Sequence, residues 1–218
     1  MRVQITSRGA IVDVSASEMN DLQRQFHETY CVLIRQFVEP ALLAQLQEKI
    51  AAADFRDKHN IDVGDEVRMQ ADPAGSALEF MMNDPALHAF VREVSSIGKI
   101  GAYRGRVYSL LPNTGMMSDW HNDMVPGLMA TMVINLSTQV YEGGLLQFKH
   151  VDSNEVVTSI HNTGFGDATL FKIDYSLKHR VTPITGTVRR TMYAGWFLDE
   201  PDFVTLLKER LETQSVEA

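Results

Sequence analysis

The sequence DWHND at positions 119–123 sets two metal-binding side chains, His121 and Asp123, two residues apart. On a β-strand, residues two apart point to the same face of the sheet, so this imidazole and this carboxylate could occupy neighbouring positions around one metal ion. A second histidine from another strand would complete a set of two histidines and one carboxylate, which leaves open coordination positions on Fe(II). His179, far downstream, is the candidate for that histidine.

A His-x-Asp pair by itself is a weak signal in a chain that contains 7 histidines. A second such pair, His150 and Asp152, runs directly into the turn-forming sequence DSNE at positions 152–155. Its two side chains are therefore not expected to share a strand face, and it lies too close to His179 for several strands to fold between them. We predict that the first pair binds the metal.

The composition limits the class of protein. A chain of 218 residues can build one domain with a sizeable core. The net charge of −8 argues against a protein that holds nucleic acid by its phosphates, since that requires clustered Lys and Arg. The single cysteine, Cys31, excludes an intrachain disulfide, and no stretch approaches the length of a membrane span. We predict a cytoplasmic protein with a small-molecule or peptide substrate and no nucleic-acid or membrane partner; the sequence does not indicate the oligomeric state.

The pattern of apolar and turn-forming residues along the chain changes near Lys99. Residues 1–98 are mixed, with helices prominent. Residues 99–198 contain about eight short strands separated by Gly, Asn and Asp turns, and residues 199–218 suggest a C-terminal helix. Many short strands with regular turns are typical of a jelly roll. We predict a single domain, 1–218, that is mainly β with flanking helices around a double-stranded β-helix (jelly roll, cupin-like) core.

Several N-terminal elements have clear boundary signals. Residues 1–14 suggest a hairpin or lead-in, Ser15 or Ser17 could cap a helix that ends near Glu28, and Pro40 lies just inside the start of another helix. Residues 54–76 are polar and rich in turn formers, which predicts a long connection. Such a connection could be a lid, a segment that contacts substrate, or a mobile surface loop.

Four further motifs follow the first pair in order. They are GG at 143–144, GD at 166–167, HRVTP at 179–183 and RRT at 189–191. Together with His121 and Asp123, this order resembles the 2-oxoglutarate and Fe(II)-dependent dioxygenases, and more closely their prolyl-hydroxylase-like branch. The resemblance covers roughly residues 99–198. It implies a jelly roll in which His121, Asp123 and His179 hold ferrous iron, with 2-oxoglutarate and O2 as co-substrates that yield succinate and CO2.

The same resemblance implies an anchor for the distal carboxylate of 2-oxoglutarate. In the R-x-[S/T] pattern that role falls on Arg189, with Thr191 as a second hydrogen-bond partner, because arginine can pair with a carboxylate in a planar, two-point fashion. Members of the family differ by one residue in this spacing, so Arg190 stays open as the alternative. The weaker candidates for contacts with 2-oxoglutarate are Tyr108, Arg106 and Asn135.

The leading hypothesis is a hydroxylase that acts on an aliphatic C–H of a small molecule, an amino acid or a peptide side chain. Asp123 favours hydroxylation over halogenation, because the halogenases of the family typically carry Gly or Ala at that position. Desaturation, epoxidation and cyclisation stay open. The competing hypothesis, from another class, is a non-catalytic jelly-roll protein that binds a metal or a small acid. The sequence does not identify the substrate.

Overall fold

A computed structural model describes residues 1–61, 63–201 and 204–205 of the chain. The helices are α1 Ala16–Thr29, α2 Pro40–Ala51, α3 Pro73–Met82 and α4 Pro85–Ser95. The strands are β1 Arg2–Thr6, β2 Gly9–Asp13, β3 Cys31–Ile34, β4 Phe55–Asn60, β5 Gly64–Met69, β6 Ala102–Leu110, β7 Ser118–His121, β8 Leu128–Asn135, β9 Glu142–Gly143, β10 Leu146–His150, β11 Val156–Ile160, β12 Ala168–Lys172, β13 Leu177–Val181, β14 Ile184–Thr185 and β15 Arg190–Leu198.

Two antiparallel sheets form the β-rich core. The larger one has seven strands in the order β3-β12-β8-β15-β6-β5-β4, and the smaller one has four in the order β11-β10-β13-β7. Neighbouring strands in the sheets are often distant in sequence, as in a jelly roll, where the chain alternates between two sheets. The structure confirms the predicted fold class, which is mainly β with flanking helices around a jelly-roll core.

The larger sheet separates two hydrophobic clusters, and strand β15 shows how. Tyr193 and Phe197 belong to the cluster that also contains the core residues of the four helices, such as Leu22, whereas Met192 and Ala194 belong to the cluster between the two sheets. Side chains alternate faces along a strand, so one strand contributes to both clusters. The second cluster surrounds the cavity described below.

The helix boundaries follow the local signals in the sequence. Ser15 caps α1: its side chain accepts a hydrogen bond from the Glu18 backbone while the Glu18 carboxylate binds the Ser15 backbone, a capping box that satisfies two free amides. Pro40 lies in the first turn of α2, as predicted, and Pro85 lies in the first turn of α4. The predicted N-terminal hairpin is present, since β1 and β2 are paired.

Residues 54–76 differ from the prediction of a long connection. They form the hairpin β4–β5, which continues the larger sheet at its edge next to β6, and the start of α3. The polar side chains that suggested a loop lie along the exposed strand β4, where both faces meet solvent for most of its length. An edge strand of this kind lacks the apolar alternation by which strands are recognised.

A close approach between two glycines holds β6 against β15. Gly105 and Gly195 are paired across the strands, and a Cβ on Gly195 would lie 2.2 Å from the Arg104 carbonyl oxygen and 2.6 Å from the Tyr103 hydroxyl. We expect Gly195→Ala to lower the free energy of unfolding by about 1–3 kcal/mol, the cost of overpacking a buried site. Urea denaturation measures this change.

Gly98→Ala is the matched control, because a Cβ on Gly98 would have no neighbour within 4 Å. An unchanged denaturation midpoint for Gly195→Ala would show that the sheet relaxes easily at this crossing.

Among the described residues, no helix combines the length and the apolar character that a membrane crossing requires. The predicted C-terminal helix, residues 199–218, lies largely outside the described residues.

Candidate active site

Two histidines face each other across neighbouring strands of the smaller sheet. His121 on β7 is paired in register with His179 on β13, and their ring centroids are 4.3 Å apart. Asp123 lies just beyond the end of β7, with one carboxylate oxygen 3.5 Å from His121 Nε2 and the other 3.6 Å from His179 Nε2. One ligand atom from each of the three residues lies within 4.8 Å of the others. The structure thus brings together the three predicted metal ligands.

Hydrogen bonds orient two of these side chains. His121 Nδ1 lies 2.6 Å from the Asp119 backbone oxygen; since a carbonyl only accepts, Nδ1 carries a proton, and the lone pair of the neutral imidazole is then on Nε2. The Asp123 carboxylate accepts hydrogen bonds from Trp196 Nε1 at 2.8 Å and from the Thr131 hydroxyl at 3.1 Å. Supporting contacts of this kind fix the direction in which a metal ligand points.

His179 is held by packing. The centroid of its ring is 4.9 Å from the ring centroid of Phe171 and 6.1 Å from that of Phe148. Burial, which disfavours the charged imidazolium, is the main cause that lowers the pKa of His179 to about 4; His121 adds to the effect and the Asp123 carboxylate opposes it. His179 is therefore neutral at neutral pH, which is the protonation state that binds a metal ion.

A buried arginine lies in the wall of the same cavity. Arg190 is 3% exposed, and its Nη1 donates a hydrogen bond to the Tyr108 hydroxyl at 2.9 Å. Its Nε has no hydrogen-bond partner, and no carboxylate of the described residues lies within ion-pair distance. Gly144 accommodates the arginine stem, since a Cβ there would lie 2.9 Å from Arg190 Cδ. A buried guanidinium without an anionic partner is costly, which indicates a site for an anion.

The structure corrects the preference for Arg189. That side chain is exposed and lies 5.2 Å from the Phe55 ring, outside the cavity that contains the three metal-site residues. Thr191 also faces away, because its hydroxyl contacts Ser109 at 2.8 Å on the opposite side of β15. Neighbouring residues of a strand point to opposite faces, so the cavity receives Arg190 and neither Arg189 nor Thr191.

Of the three weaker candidates for contacts with 2-oxoglutarate, two line the cavity and one does not. Tyr108 and Arg106 line the cavity with the metal-site residues. Asn135 is 1% exposed and both ends of its amide are occupied: it donates to the Thr163 carbonyl and accepts from the Ser137 backbone. This bonding supports the turn after β8, and Asn135 does not line the cavity.

The cavity between the sheets has a volume of about 80 Å³. It is lined by inward residues of the larger sheet and by the tip of the β4–β5 hairpin. The tip is fixed to β7 and to the residue before it: the Val63 carbonyl accepts a hydrogen bond from the Asp119 amide at 2.6 Å, and Gly64 packs against the Met117 backbone. Residues 60 and 63–66 of the segment 54–76 thus line the cavity.

Reasoning from the sequence missed three residues of the site. Trp196 and Thr131 both hold Asp123, Trp196 from 73 residues away and Thr131 from the strand that follows Asp123, and no spacing rule relates either residue to the carboxylate. Glu66, which lies on the cavity wall with Arg106, sits in a stretch interpreted as a loop. Trp120, next to His121, lies between Lys149 and Arg180, each 4.5 Å from its ring.

Comparison with known proteins supports the same site. The sequence profile described as "2OG-Fe(II) oxygenase superfamily" matches residues 105–198, the segment that contains His121, Asp123, His179 and Arg190. This β-rich core belongs to the 2OG-Fe(II) oxygenase superfamily. The predicted family is confirmed, and with it the enzyme class, a 2-oxoglutarate-dependent dioxygenase. The superfamily implies Fe(II), 2-oxoglutarate and O2.

Solved structures show the same fold at low identity. A Pseudomonas putida prolyl-4-hydroxylase superposes with a TM-score of 0.64 at 15% identity, covering 84% of this chain and 99% of that one. An oxidoreductase of the 2OG-Fe(II) oxygenase family from Burkholderia pseudomallei gives 0.62 at 16%, covering 88% and 96%. A Trichoplax adhaerens prolyl hydroxylase, solved with a peptide of hypoxia inducible factor, gives 0.62 at 17%, covering 83% and 89%. Comparison with curated proteins gives no match.

Proposed function

We propose that this oxygenase hydroxylates an aliphatic C–H of a small molecule, an amino acid or a peptide side chain, with release of succinate and CO2. The observation that carries the proposal is the sharing of one cavity by three convergent metal donors and a buried arginine without an anionic partner. The donors suit the ion, and the arginine suits the distal carboxylate of the co-substrate.

His121, Asp123 and His179 would hold the ferrous ion. Two neutral imidazoles and one carboxylate form the donor set that non-haem Fe(II) oxygenases use, with positions left open for other ligands. The preset Nε2 of His121 and the two hydrogen bonds to Asp123 mean that these side chains need little reorganisation to bind. When bound, the ion supplies the oxidative decarboxylation of 2-oxoglutarate and the activation of O2.

Arg190 would pair with the distal carboxylate of 2-oxoglutarate, with the Tyr108 hydroxyl beside it. Guanidinium and carboxylate are both planar and can form two parallel hydrogen bonds, and the unpartnered Nε of Arg190 would then gain an acceptor. This proposal replaces the expected pair Arg189 and Thr191. The rest of the cavity is left for the substrate, which the surrounding walls would shield from bulk water.

The first experiment tests co-substrate chemistry without knowledge of the substrate. Purified protein mixed anaerobically with Fe(II) and 2-oxoglutarate is expected to develop a weak visible charge-transfer band, and admission of O2 should then yield succinate. Protein without Fe(II) is the control. A mixture that stays colourless and forms no succinate would favour the alternative, a jelly-roll protein that binds a metal or a small acid without catalysis.

Substrate identification then follows by mass spectrometry. Amino acids, peptides and metabolite extracts are incubated with the loaded enzyme and screened for the gain of one oxygen atom. Loss of two hydrogens from a compound instead would indicate desaturation or cyclisation in place of hydroxylation.

A further inference from the structure

The same cavity carries a second group of charges, on the strands β5 and β6 that follow the strand of Arg190 in the larger sheet. The Glu66 carboxylate on β5 accepts hydrogen bonds from Arg106 Nε at 3.0 Å and Nη2 at 3.2 Å, and from Arg68 Nη2 at 2.7 Å. Glu66 is 5% exposed. Burial by itself would raise the pKa of Glu66, but the two guanidinium groups outweigh it and hold the pKa below its ordinary value. Glu66 therefore stays ionised and shares one negative charge between two cations.

This group carries an excess positive charge. The remaining carboxylate of the wall, Asp65, is largely exposed and paired with His59 at 2.6 Å, so solvent screens it. If the proposed function holds, the charges of the ferrous ion, the 2-oxoglutarate dianion, Asp123 and Arg190 cancel one another. The surplus cation of the wall is then not neutralised by the metal centre.

Arg106 is the member of this group that faces the reaction centre. It lines the cavity, whereas Arg68 lies behind Glu66. Its guanidinium carbon is 5.2 Å from the Trp196 ring and 5.6 Å from the Tyr108 ring, and Trp196 is the residue that donates to Asp123. The hydrogen bonds to Glu66 use Nε and Nη2 and leave Nη1 for a ligand. The bond to Glu66 and the two rings fix the guanidinium in place.

Resting on the proposed function, we propose that the substrate is a small carboxylic acid whose carboxylate binds Arg106, with Glu66 and Arg68 as the positioning residues. A fixed guanidinium near the metal would orient an anionic substrate so that a C–H at a set distance from the carboxylate faces the metal site. Small size follows from the volume of the cavity, about 80 Å³.

The test uses Trp196 as a reporter. The chain contains two tryptophans, and Trp120 lies on the outer face of the smaller sheet between Lys149 and Arg180. In a Trp120→Phe background, Trp196 is the only indole, and Arg106 stacks on it. The protein is loaded anaerobically with Fe(II) and saturating 2-oxoglutarate, then titrated with propionate or with the neutral propionamide.

We expect propionate, and not propionamide, to change the Trp196 fluorescence saturably while the visible band of bound 2-oxoglutarate persists. Arg106→Gln should raise the dissociation constant for propionate at least about 10-fold, the effect of losing a charge-assisted hydrogen bond. Arg104→Gln is the matched control: Arg104 lies two residues earlier on the same strand and pairs with Glu200 at 2.7 Å, but it does not line the cavity.

Four results would overturn the inference. They are equal binding of propionamide, unchanged binding in Arg106→Gln, no saturable response to propionate, and loss of the visible band on its addition, which would mean that propionate displaces 2-oxoglutarate. Equal binding of a capped tripeptide with a central glutamate would overturn the restriction to small acids. If the band never forms, the proposed function fails, yet the fluorescence titration still reports whether Arg106 binds a carboxylate.

Discussion

Replacement of His179 by alanine is expected to abolish succinate formation, with a fall of at least about 100-fold, and to remove stoichiometric iron. The reason is geometric: His179 supplies one of three donor atoms that lie within 4.8 Å of one another, and two donors from neighbouring positions hold a ferrous ion poorly. Loss of even a supporting residue of a metal site commonly lowers metal affinity or activity by about 10- to 100-fold. Loss of a ligand itself should therefore lower both by at least the upper end of this range. Metal analysis and succinate assays measure the two effects separately.

His150→Ala is the matched control for this experiment. His150 lies on β10, the strand next to β13, and belongs to the His-x-Asp pair that the sequence led us to reject. It contacts Tyr30 at 3.3 Å, away from the cavity. We expect this variant to keep iron and activity. Retention of full succinate formation in His179→Ala would refute the assignment of His179 as a ligand.

Replacement of Arg190 by glutamine should weaken 2-oxoglutarate binding at least about 30-fold and leave the affinity for Fe(II) alone nearly unchanged. A buried charge pair that loses one partner costs about 2–5 kcal/mol, because the other charge is left without compensation. The visible band measured at increasing 2-oxoglutarate gives the dissociation constant. Arg190→Lys should recover only part of the loss, since an ammonium cannot form the two-point contact.

The neighbouring arginine provides a sharp comparison. Arg189 is exposed over Phe55, so Arg189→Gln should leave the affinity for 2-oxoglutarate within about 2-fold of the unchanged protein. If Arg189→Gln weakened 2-oxoglutarate binding and Arg190→Gln did not, the side chain of Arg189 would be the one that points into the cavity in solution. The sequence-based choice of Arg189 as the anchor would then be correct.

The difference between these two arginines marks the limit of motif spacing. The R-x-[S/T] pattern fits Arg189 and Thr191, and counting residues cannot say which of two adjacent arginines points inward. A shift of one residue reverses every side chain on a strand. In the structure the facing of β15 is set by its partners: Tyr193 and Phe197 pack toward the helices, which turns Arg190, Ala194 and Trp196 toward the cavity.

By itself, the sequence determined the β-rich core from residue 99 onward, the starts of α1 and α2, and the shared facing of His121 and Asp123. These features depend on local signals, namely alternation, capping residues, turn formers and the two-residue spacing of a strand. Only the tertiary structure decided that Arg190 faces the metal residues, that Trp196 and Thr131 hold Asp123, and that the β4–β5 hairpin brings Glu66 to Arg106. Each of these depends on which distant strands become neighbours, and that pairing is fixed by burial of the whole sheet, a property that no short stretch of sequence carries.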